Sequence, residues 1–181
     1  MNLPTQKQQK LAYGKNNENR LIEYLNKRYP KMKYYLAQNK FDYFDFRCAS
    51  PAYRNRIYEL KSRKIYHNSF TTTMIGANKW GKAIKDSKNS SDRKYRVYYM
   101  YLDGLYKYDF NQKDIDDGIL QLGDWSGWID GKKVKNKVYY IPIEKLELVT
   151  INLCSELEVG DVPPQKPIEF SFCDFDSSDE E

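Results

Sequence analysis

The spacing of apolar residues changes period several times along the chain, and each change marks an element. In "GKNNENRLIEYLNKRYP" the apolar residues Leu21, Ile22, Leu25 and Tyr29 recur at spacings of three and four, which predicts a helix from Gly14 that Pro30 stops. Glu18, three and four residues ahead of Leu21 and Ile22, shares this core-facing stripe; an acid favoured by the helix dipole is the other reading of it. Three β-like stretches follow, "KMKYYLAQ", "FDYFDFRCA" and "RIYELKSRK", the last two separated by the turn-like "SPAYRN". Connections this short make an antiparallel meander the simplest arrangement. "GANKWGKAIKDS" predicts a second helix, and the aromatic strand "YRVYYMYL" turns at Asp103-Gly104 into "LYKYDF". Helix, three strands, helix, strand is the order of an α/β core with helices packed on a mixed sheet.

Downstream, "DIDDG" and "GDWSGWIDGKK" carry loop signals, and "KVYYIPI" with "EKLELV" adds a β-rich C-terminal extension to the sheet. With 181 residues the chain holds one core of ordinary size. The expected organisation is a flexible arm over 1–13, a single domain over 14–158, and an acidic disordered tail over 159–181. The N-terminal residues lack the apolar stretch of a signal peptide, and no run approaches the ~20 apolar residues of a membrane span. A soluble, intracellular protein with no membrane partner is expected.

Charge changes this picture. The net charge of +5 conceals a division, because residues 151–181 hold nine acids against Lys166 alone. The remaining body is strongly basic and suits a polyanion, since each phosphate contact by Lys or Arg releases counterions. Cys48, Cys154 and Cys173 are far apart and accompanied by a single histidine, His67, which suggests neither a disulfide frame nor a zinc site. His67 reads as a solvated loop residue.

The candidate chemistry lies in "RIYELKSRK". Ile57, Glu59 and Lys61 point to one face of this strand, and Tyr58 and Leu60 to the other. An acid and a base on a covered face are costly unless they pair or bind something. The preceding strand adds Asp42 and Asp45, and hairpin register chooses between them. With Asp42 opposite Glu59, Tyr43 meets Tyr58, Phe44 meets Ile57 and Asp45 meets Arg56, all sensible pairs. With Asp45 opposite Glu59, Arg47 falls against Ile57 and Cys48 against Arg56. The first register is preferred, although a bulge would reverse it. Facing carboxylates repel unless a cation joins them, and oxygen-only ligands suit Mg²⁺, which also binds phosphate oxygens. In this reading Asp42 and Glu59 are the metal ligands, Lys61 assists the attacking water, and Glu18 is an outer ligand or orienter.

These motifs resemble the PD-(D/E)xK nuclease superfamily: "NENRLIEYL" with Glu18, "KFDYFDF" with Asp42, and "YELKSRK" with Glu59 and Lys61. The segment "TTTMIGANKW" is similar to one in short nuclease-like proteins of phages and large DNA viruses. The resemblance implies a restriction-endonuclease-like core, Mg²⁺-dependent hydrolysis of DNA with Mn²⁺ as a substitute, and Asn78 and Lys79 against the DNA backbone near the site. A viral origin would place the protein in the host cytoplasm or nucleus.

Arg63 and Lys64, just past the site, are expected to line a basic DNA-binding groove. Tyr98, Tyr99, Tyr101, Tyr106 and Tyr108 read as core packing, and Trp125 and Trp128 in a Gly-containing loop as the better candidates for a base wedge. The acidic tail suits masking of the basic groove or recruitment of a partner. Two other classes of function remain: a nucleic-acid-binding module of the same fold without turnover, and an interaction protein acting through its tail.

Overall fold

The computed structural model describes residues 5–38, 44–51, 56–87, 94–129 and 132–154. Asp42 and the acidic tail lie outside the described residues.

Helix α1 (Gln6–Arg28) begins eight residues before the Gly14 start that the apolar stripe suggests, so 6–13 belong to the helix and not to an arm. The cause is a capping box. Thr5 Oγ1 accepts the Gln8 N–H at 3.3 Å, and the Gln8 side chain accepts the Thr5 N–H at 2.8 Å, which satisfies two donors that a helix start leaves open. The buried line of α1 runs through Asn17, Leu21 and Leu25, with Glu18 on its shoulder.

The strands β1 (Tyr34–Leu36), β2 (Phe46–Cys48) and β3 (Arg56–Ser62) form the expected antiparallel meander. A strand β4 (Thr72–Gly76), the helix α2 (Ala77–Ser87) and β5 (Lys94–Met100) follow, and β5 lies parallel to β3 with Glu59 beside Val97 and Lys61 beside Tyr99. A parallel pair needs a crossover, and β4 with α2 supplies it. The turn at Asp103-Gly104 returns the chain as β6 (Leu105–Asp109), antiparallel to β5.

The extension departs from expectation. After a short helix α3 (Gln112–Asp116), the strands β7 (Gln121–Ile129) and β8 (Lys132–Pro142) pair with each other, and β8 pairs with β4, giving a separate three-stranded antiparallel sheet. Among the described residues of the extension, β9 (Glu147–Thr150) alone lengthens the main sheet, whose order is β1-β2-β3-β5-β6-β9. The result is a mixed α/β fold. Among the described residues no helix is long and apolar enough to cross a membrane.

Strand alternation sends side chains into two cores. Leu21 and Leu25 of α1 pack with Phe46, Tyr58, Leu60, Tyr98 and Met100 on one face of the main sheet. On the other face Ile57, Tyr95, Val97 and Tyr99 meet Ile75 of β4, Trp80 of α2 and Ile141 of β8. The tyrosines at 98, 99, 101, 106 and 108 are all buried, so they pack the core as expected. Phe46 stacks on Tyr58 with centroids 5.0 Å apart and planes 9° from parallel. Phe46→Ala is expected to lower stability by about 3–5 kcal/mol, read as a fall in the denaturation midpoint with an unchanged denaturant slope.

Candidate functional site

Glu59 is only 1% exposed, yet it carries a carboxylate into the face shared with Ile57 and Val97. Burial of that charge requires partners, and two lysines provide them. Lys61, on the same strand, pairs with Oε1, and Lys79 Nζ lies 3.1 Å from Oε2. Lys79 stands in the first turn of α2, so the β4-to-α2 junction determines its approach. A Cβ at Gly76 would lie 2.6 Å from Asn78 Oδ1; glycine there lets the Asn78 side chain fold back over the junction. The two residues expected near the site are therefore divided: Lys79 meets Glu59, and Asn78 stays exposed beside it.

Register brings the second carboxylate. Phe46 pairs with Tyr58 and Arg47 with Ile57, which is not the register preferred from the sequence, and Asp45, one residue ahead of β2, donates its N–H to the Tyr58 carbonyl and so comes beside Glu59. The physical reason is burial on both faces. Phe46 and Cys48 must enter the α1 core with Tyr58 and Leu60, while Phe44, ahead of the strand, packs on the Ile57 side. The mismatch of Arg47 against Ile57 is tolerated because its guanidinium lies 4.1 Å from the centre of the Phe44 ring.

Asp45 is anchored as part of the ladder. Its N–H donates to the Tyr58 carbonyl at 2.9 Å, and its carbonyl accepts the Ala37 N–H at 2.8 Å. Asp45 Oδ2 accepts the Leu60 N–H at 2.8 Å. Burial, and next the charge of Glu59, push the Asp45 carboxyl up to about 6; the Leu60 N–H and Lys61 oppose this, and Glu18 adds to it. Asp45, Glu59, Lys61 and Glu18 are thus one electrostatic group. Glu18 itself is paired with Lys15 at 3.3 Å and packs from the α1 side. Tyr99, beside Lys61 in the ladder, is fully buried, and its hydroxyl has no hydrogen-bond partner among the described residues. Burial first, with Glu59 among the neighbouring groups, pushes its phenol well above the usual value, while Arg63 opposes this.

Arg63 and Lys64 have different neighbours. Arg63 continues the Glu59 and Lys61 parity and acts on Tyr99, whereas the Lys64 ammonium lies 4.6 Å from the Tyr13 ring centre on α1.

His67 is not a solvated loop residue. Its backbone N–H donates to Asp103 Oδ1 at 3.0 Å, its Nδ1 pairs with Asp103 Oδ2, and its ring stacks on Tyr106 at 4.6 Å. The sequence hint was Asp103 in the β5-to-β6 turn, 36 residues away. An open cleft of about 470 Å³ adjoins this pair, walled by Phe70, Ile143 and Leu146 and separate from the Glu59 group in its lining. Among the described residues Cys48 and Cys154 form no disulfide.

Among the described residues no three His, Cys, Asp or Glu side chains converge closely enough to ligate one ion. Compared with protein-family models, curated proteins and solved structures, the chain matches none of them.

Proposed function

We propose that the chain is a metal-dependent nuclease acting on DNA, with Glu59 and Asp45 as the acidic pair and Lys61 assisting the attacking water, on a restriction-endonuclease-like core made of α1, β1–β3, α2 and β5. The single observation that carries the reading is the pair of neighbouring carboxylates, Asp45 just ahead of β2 and Glu59 on β3, one with its pKa raised by burial and by the other, and with Lys61 beside them. A fold gains no stability from two buried acids in mutual repulsion, so the arrangement favours a ligand.

The donor set fits Mg²⁺. It consists of carboxylate oxygens, and this ion commonly takes one or two protein carboxylates and fills its other positions with water and phosphate. Asp45 and Glu59 would hold it, and it would supply polarisation of a phosphodiester and a water of lowered pKa. The protein's own part is positioning and charge. Backbone hydrogen bonds fix Asp45 in the ladder, β3 fixes Glu59 and Lys61 in one plane, and the Lys61 ammonium stands where it can orient a water or meet charge developing on phosphate. The basic body supplies attraction for the polyanion.

The second reading, a binding module without turnover, has its own support. Both Glu59 oxygens are already neutralised by Lys61 and Lys79, and a closed network of this kind is self-sufficient. Labelled linear, circular and branched DNA separates the two. Cutting by the purified protein in Mg²⁺ or Mn²⁺, absent in EDTA and lost in Glu59→Ala, is the expected result; salt-sensitive binding with no cutting in any metal would give the binding module.

A further inference from the structure

The main sheet leaves the β7–β8 hairpin largely to itself. β4 pairs with β8 only over Val138–Pro142, so Lys132–Lys137 and the facing half of β7 form a two-stranded ribbon. Such ribbons are marginal in water, and this one is held by rings lying over glycines on one face. The Trp125 indole lies across Gly127, where a Cβ would come within 2.4 Å of it, and the Tyr140 ring lies across Gly123 in the same way. Trp125 and Trp128 are therefore strand residues, not loop residues, and they leave on opposite faces. Trp125 is committed to packing.

The other face is different in kind. Register sets Trp128 opposite Lys133, Ser126 opposite Lys135 and Asp124 opposite Lys137, so the three lysines form one row, ~7 Å apart along the strand. Lys137 Nζ lies 2.9 Å from Asp124, whereas Lys133 and Lys135 carry no ion pair among the described residues. Trp128 is 73% exposed at the end of this row, with no ring partner among the described residues. A bare indole beside unpaired ammoniums suits a partner that offers a flat apolar face to the ring and negative charge to the lysines.

We propose that this face of the ribbon binds single-stranded nucleic acid, with phosphates on Lys133 and Lys135 and an unpaired base stacked on Trp128. An unpaired base has a free π-face, whereas a base inside a duplex is already stacked on its neighbours; a row of lysines alone would not distinguish the two, and Trp128 does. The surface needs no metal and makes no use of Glu59, so it stands whether or not the chain cuts.

Binding of a fluorescent 20-nucleotide dT strand and of a 20-base-pair duplex, measured by anisotropy in EDTA, tests this directly. The dT strand should bind more tightly than the duplex and quench tryptophan fluorescence. Trp128→Ala should weaken dT binding roughly tenfold, within the range for one stacked base, and lose most of the quenching, with Trp128→Phe restoring much of the affinity. Lys133→Ala with Lys135→Ala should flatten the salt dependence of log K by about 1.4, at ~0.7 per phosphate contact on a single strand. Equal binding of duplex and dT, or a Trp128→Ala protein that binds dT as the wild type does, would overturn the proposal. Loss of self-association in Trp128→Ala with dT binding unchanged would also overturn it, assigning the face to a second copy of the chain.

Discussion

Asp45→Asn is expected to raise the stability of the metal-free protein at pH 7–8 by about 2 kcal/mol, a rise of roughly 4–8 °C in Tm for a chain of this size, and to lower cleavage about a thousandfold. The two effects have one cause. Because its folded pKa, about 6, lies above that of an exposed aspartate, Asp45 destabilises the fold wherever it is ionised. The loss begins as pH rises past about 4 and is complete a little above 6. Asparagine removes that charge, and its side-chain oxygen can still accept the Leu60 N–H, so the ladder is kept. Wild-type stability without metal should accordingly fall between pH 4 and pH 6.5 where that of Asp45→Asn stays flatter. A bound cation should reverse the sign. It favours the ionised form, so Mg²⁺ or Ca²⁺ should stabilise the wild type, increasingly up to about pH 6, with protons released on binding. Thermal melts across pH with and without Ca²⁺ check all of this without any turnover. If Asp45→Asn keeps the cation-induced shift and Asp42→Asn loses it, the ligand is Asp42 and the register argument does not govern the site.

Why the sequence revealed Glu59 and Lys61 but not their partner follows from how the strands are buried. On β3 the period-two pattern is strict, and placing Glu59 beside Lys61 on one face follows from alternation alone. Ahead of β2 the alternation breaks, because Phe44 packs on the α2 side while Phe46, two residues later, enters the α1 core, so a period-two reading carried through Asp45 misplaces the residues before it. Each register then offers plausible pairs, and the choice is made by α1, a layer that the local pattern does not contain. The same limit hid β4: "TTMIG" alternates, with Thr73 and Ile75 inward, but its partner β8 lies some 65 residues further on. Lys79 was legible through its resemblance but not its role, because contact with Glu59 depends on where α2 starts. The glycines at 123 and 127 misled in the opposite direction. They signal turns in a sequence, yet here they are slots in a strand for aromatic rings.

Lys61→Ala and Lys79→Ala should differ in kind, although both lysines pair with Glu59. Lys61 projects from β3 two residues beyond Glu59 and acts on Asp45 as well, so it stands over both carboxylates. Its removal should lower the cleavage rate by about 10²–10³, the range for loss of one preorganised charge donor, while leaving DNA binding in Ca²⁺ within about threefold. Lys79 approaches the other Glu59 oxygen from α2 and is 26% exposed, which makes it a competitor for any cation that Glu59 must hold. Without it, Glu59 regains a free oxygen, and the Mg²⁺ concentration for half-maximal rate should fall several-fold, with a smaller loss in the maximal rate. Measuring rate against Mg²⁺ for both variants tells competition from catalysis: a shift in midpoint for Lys79→Ala and a drop in plateau for Lys61→Ala. If the two curves were to fall together with unchanged midpoints, the lysines would be interchangeable neutralisers of a buried acid, and the network would be structural.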